Sequence, residues 1–160
     1  MTTSQTAVAV VTGGARGIGQ ACVRKFAALG HPVAILDVNR ELGQALADEL
    51  TAAGVQAKYY DCDVADAALV DSVAAQVQQD MGAAGVLVSS AALIPNTESV
   101  MDMDLVAHDR MWRVNYHGTV HVCRSFGRQM INAGQGGCIV TLGSINSAGP
   151  MPLPDRKSVV

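Results

Sequence analysis

A glycine-rich turn near the start of the chain has the residue types that bind a phosphate. Gly13, Gly17 and Gly19 follow an apolar run at residues 7–11 and open a segment with helical spacing. In the order strand, turn, helix, such glycines let a diphosphate approach the first helical turn, whose N–H groups and dipole favour negative charge. The spacing is G-x-x-x-G-x-G, and a tight turn without a ligand is the alternative for the pattern taken alone. The predicted cofactor-binding residues of this turn are Gly13, Arg16, Gly17, Ile18 and Gly19.

Asp37 could recognise the sugar of the same nucleotide. It ends a second apolar run and lies about twenty residues beyond the turn, the separation at which a carboxylate bonds the adenosine ribose hydroxyls. A carboxylate there repels a 2′-phosphate, so NAD is favoured over NADP, although Arg16 and Arg40 could offset that repulsion. The alternative is that Asp37 only starts a turn with Asn39.

The elements that must position these residues follow from hydrophobic spacing. Apolar runs predict strands at residues 7–11, 32–36, 55–60, 85–88 and 138–142, with helical periodicity in the intervening segments. Asp66 can cap the third helix. Strands that are apolar on both faces, separated by amphipathic helices, predict an α/β fold with a doubly wound parallel sheet. The helical positions at spacings of three or four are Ile18, Cys22, Phe26 and Leu29; Leu42, Leu46 and Leu50; Leu69, Val73 and Val77; and Val114, Gly118, Val122, Phe126 and Met130.

Polar residues directly follow four of these apolar runs. Because ligands of parallel sheets bind beyond the C-terminal ends of the strands, these residues are expected at one edge around a bound cofactor. They are Asp37, Asp63, Ser89 and Ser144.

Composition excludes several classes of protein. A net charge of −3 shows no basic surplus, which argues against nucleic-acid binding. No apolar run is long enough to span a bilayer, and residues 1–6 lack the pattern of a signal peptide. The four cysteines form no C-x-x-C pair, and Cys22 and Cys138 are predicted to be buried thiols in a reducing cytoplasm. We predict no metal centre; His117 and His121 could form only a weak adventitious site.

In these residues and their order, the chain resembles the short-chain dehydrogenase/reductase superfamily, from about Val8 to Gly149. Thr12, Gly13, Gly17 and Gly19 match the family's T-G-x-x-x-G-x-G coenzyme loop. The resemblance implies a Rossmann-like fold and a dinucleotide cofactor. It further implies that Asp63 and Val64 contact adenine, that Asn115 holds a water of the proton relay, and that Ser144 hydrogen-bonds the substrate oxygen.

The segment after the fourth strand departs from the family pattern. The chain has Ser89-Ser90-Ala91-Ala92 where the family usually has Asn-Asn-Ala-Gly. Serine keeps a hydrogen-bonding group with a shorter reach, and the change leaves backbone contacts in place. Ser89 and Ala91 are therefore predicted to contact the cofactor.

The C-terminal residues depart further. The family's general acid/base is the tyrosine of a Tyr-x-x-x-Lys pair, whose lysine lowers a phenol pKa that is otherwise about 10. That tyrosine position falls on Lys157, and no tyrosine follows Tyr116. We therefore expect a sheet that is incomplete on its C-terminal side and a catalytically inactive chain. Residues 155–160 match the translation of a sequencing adapter, so we expect a partial NAD-binding domain at 1–154 and a non-native tail at 155–160; a genuine short protein with a basic tail is the alternative.

The resemblance implies that the complete protein transfers a hydride between NAD(H) and a small secondary alcohol or ketone. Family members are mostly dimers or tetramers, so a homo-oligomer is expected. Two other functions remain open: a non-catalytic dinucleotide-binding or regulatory module, and a Rossmann-like methyltransferase that uses S-adenosylmethionine. Asn115 and Ser144 count against the methyltransferase.

Overall fold

The computed structural model describes residues 6–94 and 100–144. The segments that it does not describe include the predicted domain boundary at Pro154 and the predicted tail at 155–160. In the described part of the chain, five strands form one parallel sheet: β1 (Val8–Thr12), β2 (Val33–Asp37), β3 (Ala57–Asp61), β4 (Ala84–Ser89) and β5 (Cys138–Thr141). Their order across the sheet is β3-β2-β1-β4-β5. This order confirms the predicted doubly wound, Rossmann-like α/β fold.

Helices connect the strands. They are α1 (Gly17–Ala28), α2 (Arg40–Ala52), α3 (Ala67–Met81), α4 (Leu105–Trp112) and α5 (Thr119–Ala133). A 3-10 turn (Val100–Asp102) precedes α4, and a π-helical segment (Arg113–Gly118) joins α4 to α5 without a break. Asp66 caps α3 by accepting from the N–H groups of Ala68 and Leu69, as predicted.

Two apolar cores lie on opposite faces of the sheet. On one face, α1 and α2 cover Val11, Ile35 and Val88. On the other face, α3 and α5 cover Val10 and Leu87. Full burial of each such aliphatic side chain contributes about 1.5–3 kcal/mol. These two layers hold the strand ends in fixed register and so position the polar residues that follow them.

The buried faces of two helices differ from the predicted ones. In α1 the core residues are Gly19, Val23 and Ala27, whereas Ile18 and Leu29 are exposed. Cys22 is only partly buried. In α2 the predicted Leu46 and Leu50 are buried, but Leu42 is exposed. The predicted stripe of α1 is therefore correct only in part: Cys22 and Phe26 pack against the core while partly buried, but the fully buried positions are the smaller residues Gly19, Val23 and Ala27.

The prediction of a buried Cys138 was also wrong. It lies in β5, all four of whose residues are exposed, because β5 is the last strand of the sheet and among the described residues pairs only with β4. All four cysteines are free thiols, and Cys62 is the buried one.

Candidate nucleotide-binding site

Strand register brings the polar strand ends to one edge. Thr12 of β1 is level with Leu36 of β2 on one side and with Ser89 of β4 on the other. Asp37 is in turn level with Asp61 of β3. The C-terminal ends of the strands therefore form one continuous rim, and the glycine-rich turn begins on its central strand.

The geometry of the turn requires glycine at three positions. Gly13 and Gly17 have φ values of +63° and +57°, which side-chain-bearing residues rarely adopt. A Cβ on Gly13 would stand 2.8 Å from the Cα of Ala91, and a Cβ on Gly19 would collide with the carbonyl of Gly13. A Cβ on Gly17, in contrast, would meet no atom within 4 Å. Gly13 and Gly19 allow the turn to pack closely, and Gly17 leaves open space at the start of α1.

The N-terminus of α1 lacks the side-chain cap that α2, α3 and α4 have. Asn39, Asp66 and Asp104 cap α2, α3 and α4 through side-chain oxygens. At α1 the capping position is Arg16, whose side chain makes no such bond, and the first turn has no acidic residue. The first N–H groups of a helix need an acceptor, and an anion can supply one. This helix start therefore suits a phosphate in both charge and geometry.

Asp37 links the turn to the second strand. Its Oδ2 accepts from the N–H of Ala15 (3.0 Å), and its Oδ1 accepts from the N–H of Asn39 (2.9 Å). The bond from Asn39 is the local turn that the sequence offered as an alternative, while the bond from Ala15 places the carboxylate against the glycine-rich turn. Arg40 is paired with Asp61 (3.1 Å) and not with Asp37.

Asp63 and Val64 lie just beyond β3. The Asp63 carboxylate accepts from the N–H of Ala65 (3.0 Å) and from Nη2 of Arg110 (2.7 Å). Val64 is buried against Gly118, and its carbonyl accepts from Nδ1 of His121 (2.9 Å). The preceding Cys62 is buried, and that burial, with the nearby charges of Asp63 and Asp61, raises its thiol pKa to about 12. Cys62 is therefore a packing residue without nucleophilic character at neutral pH.

Thr12 organises the fourth-strand segment, a role that the sequence analysis missed. Its fully buried Oγ1 accepts from the N–H groups of Ser90 (3.1 Å) and Ala91 (3.2 Å), which holds Ala91 against Gly13. The hydroxyl of Ser89 donates to Thr119 (3.3 Å) in α5. A polar residue at the end of an otherwise apolar strand was the available signal for Thr12.

Asn115 and Ser144 lie further along the same rim. The Asn115 side chain accepts from the N–H of Leu93 (2.8 Å) and donates to the carbonyl of Leu93 (2.9 Å). The carbonyl of Asn115 itself accepts from the hydroxyl of Thr119 (2.8 Å). Ser144 is exposed, three residues beyond β5. The role of Asn115 in a proton relay and that of Ser144 in hydrogen-bonding the substrate oxygen stay predictions.

The described residues contain no group of three or more His, Cys, Asp or Glu side chains placed to hold a metal ion. Over the same residues, no helix combines the length and the apolarity needed to cross a membrane.

Comparison with known proteins identifies relatives over nearly the whole chain. A family model described as short chain dehydrogenase matches residues 7–154. Short-chain dehydrogenase reductase 4 of Arabidopsis thaliana is 37% identical over 148 residues, which are 91% of this chain and 49% of that protein. The mitochondrial (-)-isopiperitenol/(-)-carveol dehydrogenase of Mentha piperita is 36% identical over 89% of this chain and 55% of its own length. A crystal structure of NAD+-bound xylitol dehydrogenase superposes with a TM-score of 0.86 and 29% identity, covering 93% of this chain and 57% of the other. The chain spans about half the length of the curated relatives it matches.

Proposed function

Because the chain belongs to the short-chain dehydrogenase family, we propose that residues 1–154 form a dinucleotide-binding domain that takes NAD(H) at the rim of the sheet. The observation that carries the proposal is the start of α1. It has no side-chain cap and no acidic residue, and Gly17 leaves it open where a Cβ would otherwise project.

The predicted site residues would bind successive parts of the NAD(H) molecule. The diphosphate would lie at the N–H groups of Gly17, Ile18 and Gly19, near the exposed Arg16. Asp37 would bind the adenosine ribose, and Asp63 with Val64 the adenine. The ligand would pass Ala91 and Ser89, which Thr12 and Thr119 hold in position. The carboxylate of Asp37 favours NAD(H) over its 2′-phosphorylated form, because the latter would place a phosphate against it.

The activity of the complete protein would be hydride transfer between NAD(H) and a small secondary alcohol or ketone. Bound NAD(H) supplies the hydride chemistry, and the protein supplies orientation and electrostatics. Ser144 would hold the substrate oxygen and Asn115 would connect the proton relay to solvent. A cytoplasmic homo-oligomer without nucleic-acid or membrane partners is our working proposal, although the peppermint relative is named as mitochondrial.

The 160 residues by themselves are proposed to bind the cofactor without turnover. They contain no Tyr-x-x-x-Lys pair, so the proton donor of the family's chemistry is lacking. The same observation favours a second candidate, a non-catalytic dinucleotide-binding module, which shares the binding site and differs only in the absence of chemistry.

The test is a fluorescence titration with NADH and, in parallel, with S-adenosylmethionine. We expect saturable NADH binding that Gly17→Ala weakens at least tenfold, because the added methyl occupies the space of the diphosphate. Gly30→Ala is the matched control: Gly30 also has positive φ and open space around its Cβ, but it lies at the other end of α1. Each substitution costs about 1–2 kcal/mol of backbone strain, so stability alone cannot separate them. Equal NADH affinity in both variants, or binding of S-adenosylmethionine alone, would overturn the proposal.

A further inference from the structure

Arg110 of α4 forms an ion pair with Asp63, which is one of the proposed adenine-binding residues. Its Nη2 lies 2.7 Å from Oδ2 of Asp63, 47 positions earlier in the chain. The other oxygen of that carboxylate accepts from the N–H of Ala65. Both oxygens of Asp63 are therefore held, one by its own loop and one by α4.

Apolar packing does not account for the position of Arg110. No residue of α4 is buried, so this helix is not anchored by a hydrophobic face of its own. A second arginine shows the contrast: Arg113, in the π-helical segment that continues α4, pairs with Asp109 (2.8 Å), one helical turn away. Of these two arginines, Arg110 is the one whose charge is directed to the rim of the sheet.

The order of the strands places Asp63 at the far end of the proposed nucleotide. The diphosphate would lie at β1, Asp37 ends the neighbouring β2, and Asp63 follows β3. Neighbouring strands are about 4.8 Å apart, so Asp63 lies roughly 10 Å from the central strand, a span that an adenosine can bridge. An ionised carboxylate can only accept hydrogen bonds, so at this position it selects a base that presents a donor.

The geometry points to Arg110 as a positioning residue that holds the Asp63 carboxylate for the exocyclic amino group of adenine. This inference rests on the proposed function. Arg110 fixes one rotamer of Asp63 before the nucleotide binds, which removes the ordering cost from the binding step. Each carboxylate oxygen can accept more than one hydrogen bond, so the contact with Arg110 does not exclude the base.

The test compares two reduced dinucleotides that differ at one group. NADH has an amino group on its purine, and reduced nicotinamide hypoxanthine dinucleotide has a carbonyl at the same place. We expect the wild-type chain to prefer NADH, and Arg110→Gln to weaken NADH binding roughly three- to tenfold while leaving the hypoxanthine analogue nearly unchanged. Arg113→Gln is the matched control, with the same charge change on the same helical run and no expected effect on either ligand.

Three further variants separate positioning from a merely structural role. Asp63→Asn should also remove the preference for NADH, and the double variant Asp63→Asn, Arg110→Gln should bind NADH no more weakly than Asp63→Asn alone. Arg110→Lys retains a cation and should restore part of the preference. If Arg110→Gln does not fold, Arg110→Lys provides the test in its place. We expect Arg110→Gln to lose little stability, because the ion pair between Arg110 and Asp63 is partly exposed.

Wild-type binding of NADH with no change in Arg110→Gln would overturn this inference and leave the proposed function standing. An equal loss of both dinucleotides in Arg110→Gln, or additive losses in the double variant, would likewise overturn it. A wild-type chain that binds neither dinucleotide overturns the proposed function and this inference with it.

Discussion

At the scale of single residues, the Asp37 carboxylate is held in place by the turn that it is proposed to serve. The N–H of Ala15 fixes Oδ2, and the N–H of Asn39 fixes Oδ1. A preorganised carboxylate costs little further entropy when it accepts ribose hydroxyls. The same two bonds mean that a substitution at Asp37 also disturbs the glycine-rich turn, so an informative variant has to keep one acceptor there.

We expect Asp37→Asn to weaken NADH binding by about tenfold and NADPH binding by much less. The amide accepts fewer and weaker hydrogen bonds from the ribose, a loss of about 1–2 kcal/mol, and no longer repels a 2′-phosphate. Asp48→Asn is the control, since it removes the same formal charge from α2, away from the strand ends. The measurement is the ratio of the two dissociation constants. An equal change of that ratio in both variants would show that only the general charge of the chain matters.

Cys62 leads to a pH prediction. Burial raises the pKa of its thiol to about 12 in the folded chain, whereas an unfolded cysteine titrates near 8.5. The stabilisation from the protonated thiol is therefore complete below about pH 8.5 and is lost as the pH rises towards 12. Cys62→Ala should flatten the decrease in the free energy of unfolding between pH 8 and pH 10, measured by urea denaturation. An unchanged slope would contradict the assignment.

Thiol accessibility gives a check on the same residue. In the folded chain, Cys138 on the exposed β5 should react with an aromatic disulfide reagent first, and Cys62 only after denaturant is added. Rapid modification of Cys62 without denaturant would show that the rim around Asp63 is open in solution.

At the scale of elements, Gly118 is explained by the close contact between the end of the π-helical segment and the loop after β3. A Cβ there would stand 2.5 Å from Cγ2 of Val64, whereas a Cβ on Gly127 in α5 would have Cδ1 of Ile139 as its nearest neighbour, at 3.6 Å. We expect Gly118→Ala to destabilise the fold by about 1–3 kcal/mol through overpacking, and Gly127→Ala to be neutral or stabilising by up to about 1 kcal/mol. Urea denaturation checks both; equal stabilities of the two variants would contradict the packing described here.

The sequence predicted those elements whose patterns are formed by apolar residues. All five strands and the buried positions of α5 at Val122, Phe126 and Met130 were predicted because hydrophobic side chains form their patterns. The inner face of α1 was predicted only in part, since Gly19 lies inside at a place where a Cβ would collide with the carbonyl of Gly13. A scale that counts hydrophobicity cannot detect this kind of contact.

The π-helical segment could not be predicted either. The sequence shows one long helical region, because Val114 and Gly118 keep the step of four across Arg113–Gly118. The structure shows what distinguishes this segment: the Asn115 side chain bonds both backbone groups of Leu93, 22 positions away, and the hydroxyl of Thr119 donates to the carbonyl of Asn115 within the helix. Likewise, the polar strand ends could be predicted as a group, but the pairing of Asp63 with Arg110 could not.

At the scale of the whole molecule, the described sheet ends in an exposed strand. Ile139, Val140 and the following Leu142 are each 40–45% exposed, and no described strand pairs with the outer edge of β5. Apolar edges of this kind pair with other chains. We expect the 160-residue chain to self-associate as its concentration rises in sedimentation velocity, and Val140→Lys to reduce that association.

Ile131→Lys is the control for that experiment. Ile131 is more exposed than Val140, but it lies on α5 and not on a sheet edge. If both lysines reduced association equally, general hydrophobicity would be responsible, and a wild-type chain that stays monomeric at high concentration would contradict the edge hypothesis altogether.

The central claim is that the first turn of the sheet, with the carboxylate of the next strand, binds the dinucleotide. The most direct measurement is the change in backbone amide shifts of the 15N-labelled chain as NAD+ is added, with Val140→Lys used to limit association. The account predicts saturable shifts at Gly13 to Gly19, Asp37 and Asp63, and none at Gly30 or Gly54, at the far ends of α1 and α2. Shifts confined to other surfaces, or none at millimolar NAD+, would contradict it.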